Sequence, residues 1–233
     1  MPSVGVVVFT LREMQHIDRC VESVDWADAV RLCALDDDES VGIDSESDRT
    51  DWVLYLFGEE QVDAELSAAL RDLVRFRPQQ SVGPYRIRVR SRLLDRWIEA
   101  SCWGPCPSVR LLPTGAGLPF EGWKSEGFGR HTGPILPGWI SDHSFERVAD
   151  GVGHVNALSS IWARGNAPVP GGLRDLTLLP AGVFSSLFFR KSLWLRGLPG
   201  FSIAVLAAYT AVATAMKCWE RSRGPVHDPP NEP

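Results

Sequence analysis

The sequence predicts an α/β domain, a sheet flanked by helices, followed by an apolar helical segment. Three stretches carry that expectation. Val4 to Phe9 is a continuous apolar run, and helical spacing and a second strand-like run over Ala29–Leu35 follow it, the pattern of a βαβ unit. Val53-Leu-Tyr-Leu56 is a third, short β-prone run that ends abruptly in Gly58, Glu59 and Glu60. Gly197 to Met216 contains no charged residue, and basic side chains flank it on both sides.

Each element has its own warrant. An apolar run without alternation, such as Val4–Phe9, suits a strand buried on both faces of a parallel sheet. Met14, Ile17, Val21 and Val24 fall on one side of a helix over Glu13–Val24, and the crossover to the next strand is expected to be right-handed. The chain then passes through the acidic Asp36-Asp-Asp-Glu39 and a polar stretch to Thr50 before the central strand, whose C-terminal edge carries Glu59 and Glu60. Ligands of open α/β sheets bind at that edge. Val62–Phe76 reads as an amphipathic helix, and Pro78 marks a break. Tyr85-Arg-Ile-Arg-Val-Arg90 alternates strictly, predicting a strand with one buried face and one arginine face. Those arginines suit either a bound diphosphate, because guanidinium forks match phosphate oxygens, or plain solvent. Phe145–Trp162 repeats apolar residues at helical steps, Arg164–Gly172 reads as a Gly/Pro linker, and the end from Gly224 as a disordered tail.

Composition narrows the class. A chain of 233 residues suits one ordinary domain with an appendage, here 1–165 followed by 166–223 and a tail over 224–233. Five cysteines without paired C-x-x-C spacing argue against a disulfide framework and a structural zinc site, and a reducing cytoplasm fits them. Cys102, Cys106 and His131 are conceivable metal ligands, although buried thiols commonly have no such role. His143 and His154 read as capping or packing residues, since neither has a second ligand at metal spacing. The N-terminus lacks the pattern of a signal peptide. Net charge is −5, but residues 1–80 hold 18 acidic and 7 basic side chains, whereas 176–223 hold one acidic and six basic. That distribution disfavours a nucleic-acid surface and favours an anionic membrane face for the C-terminal segment. No nucleophile elbow, P-loop or G-x-G-x-x-G occurs to indicate a hydrolase, kinase or dehydrogenase.

Several short motifs agree in order with one family. Thr10-Leu-Arg-Glu13, Cys20-Val-Glu-Ser23 and Trp26-Ala-Asp28 resemble the opening of family 2 glycosyltransferases of the lipopolysaccharide core β-glucosyltransferase group. Tyr85-Arg-Ile87, Arg96-Trp-Ile98, Trp103-Gly-Pro105, Val109-Arg-Leu-Leu112 and Phe120-Glu-Gly-Trp-Lys-Ser-Glu126 are similar to later segments, and Phe184–Gly200 is similar to the tail. The resemblance implies a Rossmann-like GT-A sheet. It also implies transfer of a hexose from a nucleotide-sugar donor to a lipid-linked saccharide or cell-envelope glycan, at the cytoplasmic face of the inner membrane. Carried over residue by residue, Glu126 is the general base of an inverting reaction and Thr10, Glu13, Asp36 and Arg110 meet the donor. Glu59 then holds a divalent metal, Mg²⁺ or Mn²⁺. Four positions depart from the pattern: Phe57 replaces the first metal-binding aspartate, Cys106 another aspartate, Ser125 a histidine, and the 36–50 stretch lacks the usual G-S-T-D turn, helix and strand. The alternative they raise is a catalytically degenerate transferase serving as a binding or assembly partner. The C-terminal segment reads as a membrane-surface hairpin or, alternatively, a buried core helix.

Overall fold

The computed structural model describes residues 3–10, 16–34, 50–76, 84–93, 95–99, 106–115, 133–164 and 173–223. Its eight strands are β1 (Val4–Thr10), β2 (Ala29–Ala34), β3 (Trp52–Phe57), β4 (Glu60–Val62), β5 (Tyr85–Leu93), β6 (Arg96–Ile98), β7 (Ser108–Pro113) and β8 (Ile135–Asp142). The helices are α1 (Ile17–Glu22), α2 (Ala64–Phe76), α3 (Val148–Arg164), α4 (Leu173–Ser185) and α5 (Leu198–Ser222). A π-helical turn over Ser186–Arg190 and a 3₁₀ turn over Leu193–Arg196 join α4 to α5. This is the α/β class that the sequence predicts.

All the described strands belong to one sheet in the order β2-β1-β3-β7-β5-β8-β4, with β6 paired to β5. β1 runs parallel to β2 and to β3, β7 is antiparallel to β3 and β5, and β8 is parallel to β5. The C-terminal ends of β1, β2, β3, β5 and β8 therefore share one edge. The apolar run of β1 is buried along its length, as is β3, because both are interior strands with helices over both faces. β2 instead alternates, leaving Val30 and Leu32 exposed on the outermost strand.

Two apolar layers hold the sheet. Val6, Val8, Leu54, Leu56, Ile87 and Val89 point to one face, where Leu66, Leu70 and Leu73 of α2 cover them. Val7, Phe9, Val53, Tyr55 and Phe57 point to the other, where Val183 of α4 and Ile203, Ala204, Ala207 and Ala211 of α5 cover them. Fully burying each large aliphatic side chain contributes roughly 1.5–3 kcal/mol, so α5 is a main contributor to the second layer. Small residues on its inner face let the long helix approach α3 and α4 closely.

The structure revises several boundaries. Val62 ends the short strand β4 rather than starting α2, because Glu60–Val62 pairs antiparallel with Ile140–Asp142. Among described residues α1 covers only Ile17–Glu22, and α3 starts at Val148 rather than Phe145, whose ring is buried in the core. The uncharged C-terminal run is long and apolar enough to cross a membrane by length and composition, yet 56% of its most apolar window is buried inside the protein. Its inner face packs as a core helix, one of the two arrangements the sequence allows. The shortened 36–50 stretch and the tail from Gly224 lie outside the described residues, apart from Thr50, and so does the linker over 165–172.

Candidate functional site

The C-terminal edge of the parallel strands gathers the polar groups. β3 ends at Phe57, and the Gly58 N–H donates to the Phe9 carbonyl at 2.8 Å, keeping the end of β3 against β1. The chain then turns through Glu59 into β4, whose first residue, Glu60, pairs in register with Asp142 at the end of β8.

Glu60 is fully buried. Its two oxygens accept from Arg110 Nη2 at 2.7 Å and Nη1 at 3.1 Å, and Oε2 also accepts the Phe57 N–H at 2.9 Å. Arg110, itself buried on β7, donates further from Nε to Ser108 Oγ and from Nη1 to the Tyr55 carbonyl. The Phe57 ring lies 5.4 Å from its guanidinium carbon. Nearby, Asp142 accepts from Ser91 Oγ and from the Ser144 N–H, both at 2.9 Å. Burial pushes the Glu60 carboxyl up to about 7; the Arg110 charge opposes this rise and the Asp142 charge adds to it.

Glu59 also turns inward. It is 4% exposed, and Oε2 lies 3.5 Å from Nε2 of His154 on α3. The other ring nitrogen, Nδ1, is 3.1 Å from the Ser144 carbonyl oxygen, a contact that an N–H on Nδ1 makes. At the outer rim, His143 Nδ1 and Glu146 Oε1 are 2.9 Å apart and Arg92 Nη1 reaches the same oxygen at 3.4 Å. The His143 hydrogen bond is the main cause holding the Glu146 carboxyl below its ordinary range.

The sequence-predicted residues fall as follows. Thr10 ends β1 at this edge, its Oγ1 donating to the Cys33 carbonyl at 3.4 Å. Glu59 and Arg110 reach the same edge, Arg110 as the buried partner of Glu60. Glu13, Asp36 and Glu126 lie outside the described residues, as do Ser125, Cys102 and His131. Phe57, which the family resemblance sets at the position of the first metal-binding aspartate, is 2% exposed in the core beside Phe9 and Tyr55. Cys106 places its thiol against the Val89 backbone, donating to the carbonyl at 3.2 Å and accepting the N–H at 3.3 Å. Burial raises that thiol, and it pushes the Cys20 thiol up to about 12, so neither is poised as a thiolate.

A divalent cation needs several convergent oxygens. Among the described residues no group of three His, Cys, Asp or Glu side chains could hold a metal ion. The two carboxylates of the motif point inward, one to a guanidinium and one to an imidazole, so as placed they do not fit a metal–diphosphate site. Sequence reasoning missed Asp142 and the Glu60–Arg110 and Glu59–His154 pairs, which join residues distant in the chain. The juxtaposition of Glu59 with Glu60 was visible, but not that both turn inward.

No protein-family profile matches the chain, and no curated protein does. Among solved structures it is similar to S. aureus TarS, a glycosyltransferase, in two forms. The fragment 1–349 aligns at 11% identity and TM-score 0.38 over 95% of this chain and 91% of that one; the other aligns at the same identity and score over 93% and 54%.

Proposed function

We propose that this chain is a glycosyltransferase-like protein that binds a lipid-linked or cell-envelope saccharide without performing metal-dependent sugar transfer. The inward commitment of Glu59, with its neighbour Glu60 paired to Arg110, carries this reading, because it removes the carboxylate expected to hold the metal on a departing diphosphate. Calorimetric titration with UDP and UDP-glucose, with and without Mn²⁺, tests it. The expected result is no Mn²⁺-dependent binding. Mn²⁺-dependent binding that Glu59→Gln abolishes would restore the second reading, in which the chain transfers a hexose from a nucleotide sugar. In that reading Glu126 acts as base, Glu59 as metal ligand, and Thr10, Glu13, Asp36 and Arg110 serve the donor. The order of motifs along the chain favours it.

The partner surface belongs to the same proposal. The connection from α4 to α5 exposes Phe189, Trp194 and Leu195, and the outer side of α5 continues with Leu198, Phe201, Val205 and Tyr209. Arg190, Lys191 and Arg196 lie among them and are exposed. Beside this face, α4 and α5 form an open apolar groove lined by Pro180, Phe184, Val205 and Tyr209 among others. Apolar side chains bordered by cations support the reading of a peripheral protein on the cytoplasmic side of the inner membrane, lying on an anionic lipid surface rather than spanning it.

A further inference from the structure

The arginine row of β5 takes no part in the buried cluster. Its register sets Arg88 beside Trp139 of β8 and Arg92 beside Trp97 of β6. The Arg88 guanidinium carbon lies 5.6 Å from the centre of the Trp139 ring, and that of Arg90 lies 5.9 Å from Trp139 and 4.9 Å from Trp97. Trp97 in turn meets His143 edge to face at 5.2 Å. The result is a ladder, Arg88–Trp139–Arg90–Trp97–His143, which climbs toward the polar edge, since His143 directly follows Asp142.

The ladder is neither a plain solvated face nor a closed structural cluster. Arg90 uses Nε on Ser141 Oγ at 3.0 Å, and Arg86 uses Nε on the Gly133 carbonyl at 2.9 Å. Arg88 has no hydrogen bond or ion pair among the described residues, and no described carboxylate pairs with Arg86 or Arg90. Asp95 and Glu146 are engaged by Arg92. Among the described residues, Arg86, Arg88 and Arg90 thus line one side of β5 without an acidic partner, and indole rings lie against Arg88 and Arg90. Trp139 lies between these two arginines, whereas Trp97 is 40% exposed beside the ladder.

We propose that this ladder binds an acidic saccharide, one bearing phosphate or carboxylate groups. The apolar face of a pyranose ring rests on Trp97, and its anionic group is met by the guanidinium forks of Arg88 and Arg90. This inference rests on the saccharide-binding reading above and names the class of saccharide. A nucleic acid, which also stacks on indoles, fits less well in a chain of net charge −5 whose first 80 residues are strongly acidic.

The test uses the full chain and calorimetry at low salt, with phosphorylated pentamannose, neutral pentamannose, inorganic phosphate and a single-stranded oligouridine as probes. The expected result is that phosphorylated pentamannose binds most tightly. Trp97→Ala and Arg88→Gln should each weaken it about tenfold or more, the latter also flattening its salt dependence. Both side chains are exposed, and a thermal melt reports whether each variant folds; if Trp97→Ala does not, Arg88→Gln carries the test. Absence of phosphorylated pentamannose binding, equal binding by the variants, or tighter binding of oligouridine overturns the proposal. The UDP and Mn²⁺ titration is independent of these arms, so metal-dependent donor binding with an intact ladder would overturn the non-catalytic reading alone.

Discussion

Phe57→Asp restores on paper the first carboxylate of the metal motif, but Phe57 is packed with Phe9 and Tyr55 and covers the Arg110 guanidinium. The substitution removes a buried ring and introduces a charge into its place. A loss of about 3–5 kcal/mol is expected, with no gain in Mn²⁺-dependent UDP binding, read by denaturant melts and titration. Glu60 gives a pH signature. Its carboxyl titrates at about 7 in the folded protein against an ordinary 4.5, so the folded state holds the proton more firmly than the unfolded chain. Its contribution to stability is therefore fully present below about pH 4.5 and is lost as pH rises through about 7. Denaturant melts across that window should show the fall, and Glu60→Gln should flatten it.

Gly138 shows how one element positions another. Its φ is +86°, and a Cβ there would meet the Leu66 backbone nitrogen at 2.3 Å and Asp63 Oδ1 at 2.7 Å. Asp63 accepts from both the Leu66 and the Trp139 backbone N–H, fastening the start of α2 to β8. Gly138→Ala should therefore separate α2 from β8 and destabilise by about 2 kcal/mol or more, measurable as a lowered melting temperature. Of such features the sequence displayed only those written locally. The apolar runs of β1 and β3 and the alternation of β5 are visible because their periods report burial directly. The three-residue strand β4 was not, since it is defined by pairing with β8 some eighty residues away. For the same reason Arg110 could be marked as important by its motif while its partner, Glu60, was not. The arginine row was legible as a face; that Trp139 and Trp97 would stack on it was not, because their strands meet β5 only in the folded sheet.

At the scale of the whole molecule, the C-terminal segment is part of the same core as the sheet rather than an attachment to it. Removing 173–223 would bare Val7, Val53, Tyr55 and their neighbours, and the truncated chain is expected to be insoluble on expression. The full chain should float with vesicles containing anionic phosphatidylglycerol and remain behind with phosphatidylcholine alone. Arg190→Glu with Lys191→Glu should reduce flotation at least about tenfold, since each basic side chain at such a surface is worth about 1 kcal/mol. Flotation indifferent to lipid charge and to these substitutions would remove the membrane from the proposed function. The two-sided character of α5 also governs how the chain tolerates change. Inward positions such as Ile203, Ala204, Ala207 and Ala211 answer to folding and leave little room for drift. Outward ones such as Leu198, Val205 and Tyr209 are more exposed, and substitutions there should cost folding less. On the proposed membrane reading, selection for cellular quantity and selection for cellular address fall on opposite sides of a single helix, separable by counting which substitutions survive.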